Sequence, residues 1–135
     1  MWKEPKTNWV QDDYFNLVDY KRITDNLSEL YFMAKQLYPA LPTMAQMPVK
    51  SSFSDIIYAS DMNAIENNLH LINDNTLSFD IGQKMTFSVN GSTPTFEEFN
   101  RIERAIKLLY ETMQVQYKMI PRLAIILGGE NRIKL

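Results

Sequence analysis

One amphipathic pattern occurs three times in this chain and restricts the fold more than any other feature. Asp19-Tyr20-Ile23-Leu27-Leu30, Asp61-Met62-Ile65-Leu69-Ile72 and Glu98-Phe99-Ile102-Ile106-Leu109 each set an acidic residue before four apolar ones. The apolar positions step by three, four and three, which at about 3.6 residues per turn lines them along one side of a helix. A helix with one greasy side is stable only when that side is covered, so three in one chain are expected to cover each other. The expected fold is therefore mainly α: a three-helix bundle of degenerate repeats. Its helices span 17–38, 59–74 and 96–120, and its core is Tyr20, Ile23, Leu27, Leu30, Met62, Ile65, Leu69, Ile72, Phe99, Ile102, Ile106 and Leu109.

Helix boundaries follow from caps and prolines. Asn16 can accept a backbone N–H at the first helix start, with Asp19 in a first turn that favours negative charge. Thr95 with Glu98 matches the capping box, in which each side chain satisfies the other's exposed backbone N–H. Pro39 ends the first helix and Pro121 is expected to stop the third. Tyr31, Phe32, Met33 and Tyr38 widen the apolar surface of the first helix, so it is expected to touch more than one neighbour.

The stretches between helices have their own signatures. Residues 1–16 read as an extended N-terminal arm, because Pro5 blocks an early helix and Trp2, Trp9, Tyr14 and Phe15 lack helical spacing. Those aromatic residues either cover the side of their own bundle or anchor a neighbouring subunit, since tryptophan is enriched at interface hot spots. Between 39 and 54, Pro39, Pro42 and Pro48 exclude regular structure, while Leu41, Met44, Met47, Val49 and Phe53 imply an ordered crossover packed on the bundle. The methionines there read as gap filler. Phe79, Ile81, Met85, Phe87 and Val89 alternate with mostly polar residues, predicting a small β element over 79–89 with a turn near Gly82. In the C-terminal tail, 122–135, the segment 122–127 is the other strand candidate, able to pair with it.

Polar residues repeat as well. Equivalent core positions lie 42 residues apart from Ile23 to Ile65 and 37 from Ile65 to Ile102, so the connections are unequal. On that alignment Asn63 matches Asn100, with Lys21 in the first copy; Asn26 matches Asn68, with Ala105 in the third; Arg22 matches Arg101, with Ala64 between. Asparagine is a poor helix former, so its recurrence beside a core stripe needs a cause. The expectation is that Asn26, Asn63, Asn68 and Asn100 hydrogen-bond the backbone of the extended segments preceding the helices.

Catalytic signatures are missing from the sequence. A chain of 135 residues makes a single domain able to bury roughly two thirds of its unfolded surface. Its net charge of -2 gives no general attraction to nucleic acid or anionic lipid, and without cysteine there is no disulfide or thiolate chemistry. The longest apolar run, Leu123 to Leu127, falls far short of the ~20 residues of a membrane span, and the N-terminus has no secretory apolar core. Glycines stand only at 82, 91, 128 and 129, outside any phosphate-binding loop pattern. His70 is a lone histidine expected at the surface, and Asn73, Asp74, Asn75 and Asp80 lack the spacing of a calcium loop. No catalytic, cofactor-binding or metal residues are expected, and no cofactor.

Two stretches carry a family resemblance. Pro5-Lys-Thr-Asn-Trp9 with Asp13 to Leu27, and Ser92-Thr-Pro-Thr-Phe-Glu-Glu-Phe-Asn-Arg-Ile-Glu103, resemble short segments of tail and baseplate proteins from phages and prophages of Gram-positive bacteria. There a KTDW arm and a T-x-E-D-φ-N-R-I-E helix start recur. The middle of the chain joins this likeness only through Asp61 to Glu66, and Lys21 departs from it where the family favours asparagine. The resemblance implies a non-enzymatic virion structural protein of the tail or baseplate, made in the bacterial cytoplasm. Such a protein acts as a homo-oligomer docked to other virion proteins, with no nucleic acid or membrane partner. The competing expectation is a small cytoplasmic helical adaptor or regulator that binds one partner.

Overall fold

The computed structural model describes residues 1–52 and 54–123, with side chains as far as 120. Its helices are α1 (Leu17–Leu37), α2 (Ala59–Asp74) and α3 (Phe96–Leu123). Each starts with the same local device. The Asp19 carboxylate accepts the Asn16 N–H (2.9 Å), Asp61 that of Tyr58 (2.7 Å) and Glu98 that of Thr95 (2.9 Å). At α3 the bond is returned, since Thr95 Oγ1 accepts the Glu98 N–H at 3.4 Å. The expected Asn16 side-chain cap is not made; the Asn16 backbone carbonyl takes the Asp19 N–H instead. Pro121 does not stop α3, which runs to Leu123. Proline's fixed φ suits a helix, and the N–H it lacks removes a single backbone bond, the one to the Tyr117 carbonyl.

All twelve expected core residues are buried, and Ile23, Ile65 and Ile102 are each 0% exposed in one continuous cluster. The helices run parallel. Arg22, near the start of α1, reaches Glu103 near the start of α3, and Gln116 near the far end of α3 reaches the Tyr38 hydroxyl just past the end of α1. Arg101 of α3 reaches Glu66 of α2 at the same level. Parallel neighbours need connections that travel back the length of a helix. For the 16 residues of α2 this is about 24 Å, well within reach of the connections over 38–58 and 75–95.

No strand occurs among the described residues, which corrects the β element expected over 79–89. Phe79, Ile81 and Phe87 do turn inward, so the alternation is partly kept, but Val89 is exposed and Met85 mostly so. The backbone bonds that a second strand would have taken go to side chains of α2: Asn73 binds Phe79, Glu66 binds Met85 and Asn63 binds Phe87. Arg122 and Leu123, expected to open a strand, belong to α3. The rest of that expected strand lies outside the described residues, as does Phe53. In the crossover Leu41, Met44 and Met47 pack on the core, and Val49 faces solvent.

Candidate functional site

The buried polar side chains of this chain are used mainly where helices hold extended backbone. An asparagine side chain presents one acceptor and two donors, so it can take both the N–H and the C=O of one residue. Asn26 does this to Lys3 (2.7 and 2.7 Å), Asn68 to Ala45 (2.9 and 2.8 Å), Asn63 to Phe87 (2.7 and 2.8 Å) and Asn100 to Trp9 (2.8 and 2.9 Å). These are the four asparagines expected to do so. Asn73 adds a fifth clamp on Phe79, which sequence reasoning assigned to the end of a helix. The clamps also repeat in register: Asn26 and Asn68 each grip the residue 23 positions earlier. Ala105, in the equivalent place on α3, has no amide to offer.

Two glutamates anchor the same grooves, and both are fully buried. Glu103 accepts the Lys6 N–H (2.9 Å), the Trp9 indole N–H (2.6 Å) and two N–H groups of Arg22 (2.7 and 2.8 Å). Glu66 accepts the Met85 N–H (2.6 Å) and pairs with Arg101. Lys6 and Met85 each lie ten residues ahead of their N-cap, Asn16 or Thr95, so the two grooves are built alike. The ion pairs form two sides of a ring: α1 to α3 through Arg22 and Glu103, then α3 to α2 through Arg101 and Glu66. On the third side both partners are replaced, by Ala64 on α2 and Thr24 on α1. A buried charge without its partner costs several kcal/mol, so losing both together is the tolerable change. Burial alone would lower the Arg22 pKa, but the carboxylates of Glu103 and Asp19 outweigh it and raise it. Sequence reasoning missed Glu66 and Glu103, although their matching places three residues after Asn63 and Asn100 were the available signal.

The expected arm aromatics are largely used within the chain. Trp9 is 3% exposed, and Lys6 Nζ sits 4.1 Å over its ring. Phe15 stacks on Phe99 with centroids 4.3 Å apart, and Trp2 stacks on Tyr110 at 3.7 Å. Tyr14 is 84% exposed. His70 is half-buried and not at the open surface; burial lowers its pKa. Its Nε2, like Glu66 Oε1 and Arg101 Nη1, is buried without a hydrogen-bond partner among the described residues.

At the end of the bundle where the three helices begin lies a mainly apolar pit of about 720 Å³, with Phe15, Leu17, Ile57, Met62, Phe87 and Phe99 among its walls. Among the described residues no group of three or more His, Cys, Asp or Glu side chains could hold a metal ion, and no helix is long and apolar enough to cross a membrane. Compared with protein-family models, curated proteins and solved structures, the chain matches none.

Proposed function

We propose that this chain is a non-enzymatic structural component of a phage tail or baseplate, built by three-fold copying of one unit, an extended arm followed by a helix. It works by assembling with itself and docking to other virion proteins. One observation supports this reading above the others. The two stretches that resemble phage tail segments meet each other: Trp9 is held by Asn100 and Glu103, and Lys6 by Glu103. Residues 91 to 97 positions apart thus form one fastening of arm to helix. The conspicuous polar groups at its centre are spent on holding backbone, so the module offers surfaces for assembly. Mass spectrometry and antibody labelling of purified particles from the phage carrying the gene test this. The protein is expected at a fixed copy number per particle and at the tail end. Its absence from particles, together with capture of a single cytoplasmic partner, would establish the adaptor reading.

A further inference from the structure

Parallel packing makes the two ends of this bundle unlike. Three helix starts gather around the pit, whereas antiparallel helices would have mixed starts with ends. The partial charges of parallel helices add, positive at the starts and negative at the ends.

The side-chain charge is equally lopsided. Residues 12–19, 52–61 and 88–98, which flank the pit, hold seven carboxylates. Lys6 pairs with Asp13 (3.2 Å), Arg22 with Asp19 (2.9 Å) and Lys50 with Asp61 (3.1 Å), which leaves Asp12, Asp55, Glu97 and Glu98 without a cation partner among the described residues. The capping residues Asp19, Asp61 and Glu98 answer the helix starts, and Asp12, Asp55 and Glu97 face solvent. The rest of the chain carries all 14 cations against the nine remaining carboxylates of 16.

Both ends also expose apolar side chains, as do other parts of the surface such as Phe32 and Val49. Around the pit Val18, Ile56, Tyr58 and Val89 are exposed, Val89 at 92%. At the other end α3 outruns its neighbours. Its length is about 42 Å at ~1.5 Å per residue, and Val115, Tyr117, Met119 and Ile120 are exposed there beside the cation Lys118.

We infer that copies of this chain join head to tail, the apolar end of α3 of one copy packing on the acidic-rimmed pit of the next. The inference rests on the assembly reading above and gives it a geometry. A projecting apolar helix end meets an apolar concavity, and Lys118 beside that end meets a rim that keeps unpaired carboxylates. A contact between unlike surfaces leaves one free end of each kind, so it continues into rings or filaments and does not close as a two-fold dimer.

The test uses sedimentation velocity and light scattering on the full chain and two exposed-site variants, Val89→Arg at the pit and Val115→Asp at the helix end. Circular dichroism of each variant checks that the fold is retained, and Tyr58→Arg and Met119→Asp serve as replacements for any that fails. Wild type is expected to gain mass with concentration to beyond twice the monomer. Each variant alone is expected to stay monomeric. An equimolar mixture of the two retains one intact surface from each and is expected to stop at twice the monomer mass. Three results would overturn the inference: a wild type that remains monomeric, variants that assemble as wild type does, or a mixture that stays monomeric. A closed symmetric oligomer indifferent to both substitutions would refute head-to-tail joining while leaving the virion reading intact.

Discussion

Trp9 shows how much depends on a single asparagine. Asn100 satisfies both backbone groups of a residue that is itself 3% exposed, so removing the amide strands an N–H and a C=O away from water. At about 1–3 kcal/mol for each buried polar group left unpaired, Asn100→Ala is expected to lower unfolding free energy by roughly 2–4 kcal/mol in urea titration. Asn26→Ala makes the same chemical deletion opposite Lys3, whose backbone lies where water can replace the lost bonds, and should cost about 1 kcal/mol. His70 gives a pH signature. Burial lowers its pKa in the folded chain, so the unfolded chain binds the proton more readily. The stability contributed by keeping it neutral is present above its unfolded pKa and is lost as pH falls towards the folded value. His70→Gln should therefore flatten the decline in melting temperature on acidification from about pH 7, measured by calorimetry beside wild type.

Among elements, the grooves decide more than the helices taken singly. Truncating either Arg22 or Glu103 leaves the other charge buried, and each single change to alanine should cost about 3–5 kcal/mol. The double change should cost less than their sum, and a double-mutant cycle in denaturant measures that coupling. Gly82 lies where the segment after α2 passes Arg101: its φ is +84°, and an added Cβ would stand 2.5 Å from Arg101 Cδ. Gly82→Ala is accordingly expected to destabilise by roughly 1–2 kcal/mol in the same titration, partly from the backbone and partly by displacing the partner of Glu66. These elements also mark what could be read from the chain. Helix positions were legible because apolar spacing and prolines act locally, and the asparagine clamps because a poor helix former recurred at matched positions. The segment over 79–89 misled because alternation records only that one side of an extended chain is covered. It says nothing of whether the cover is a strand or a helix pair. Glu66 and Glu103 went unnoticed because an isolated glutamate in a helix is ordinary, and only its partners across the bundle make it a hub.

At the scale of the whole molecule the defining contacts are remote in sequence. Lys6 meets Glu103 and Trp9 meets Asn100 over separations of 97 and 91 residues. Contacts that close such long loops form late, because the entropy of closure must be met before they contribute. Asn100→Ala should thus leave the refolding rate within about twofold and act mainly by speeding unfolding, a low φ-value readable from a stopped-flow chevron. The same geography governs the protein's birth. The ribosome delivers Trp2 and Trp9 first, but α3, which receives both, emerges about a hundred residues later; at ~5–20 residues per second that is roughly 5–20 s. Throughout that interval each nascent chain trails an unsheltered tryptophan-bearing leader. On a crowded polysome its earliest opportunity to dock is the finished α3 of an older sibling.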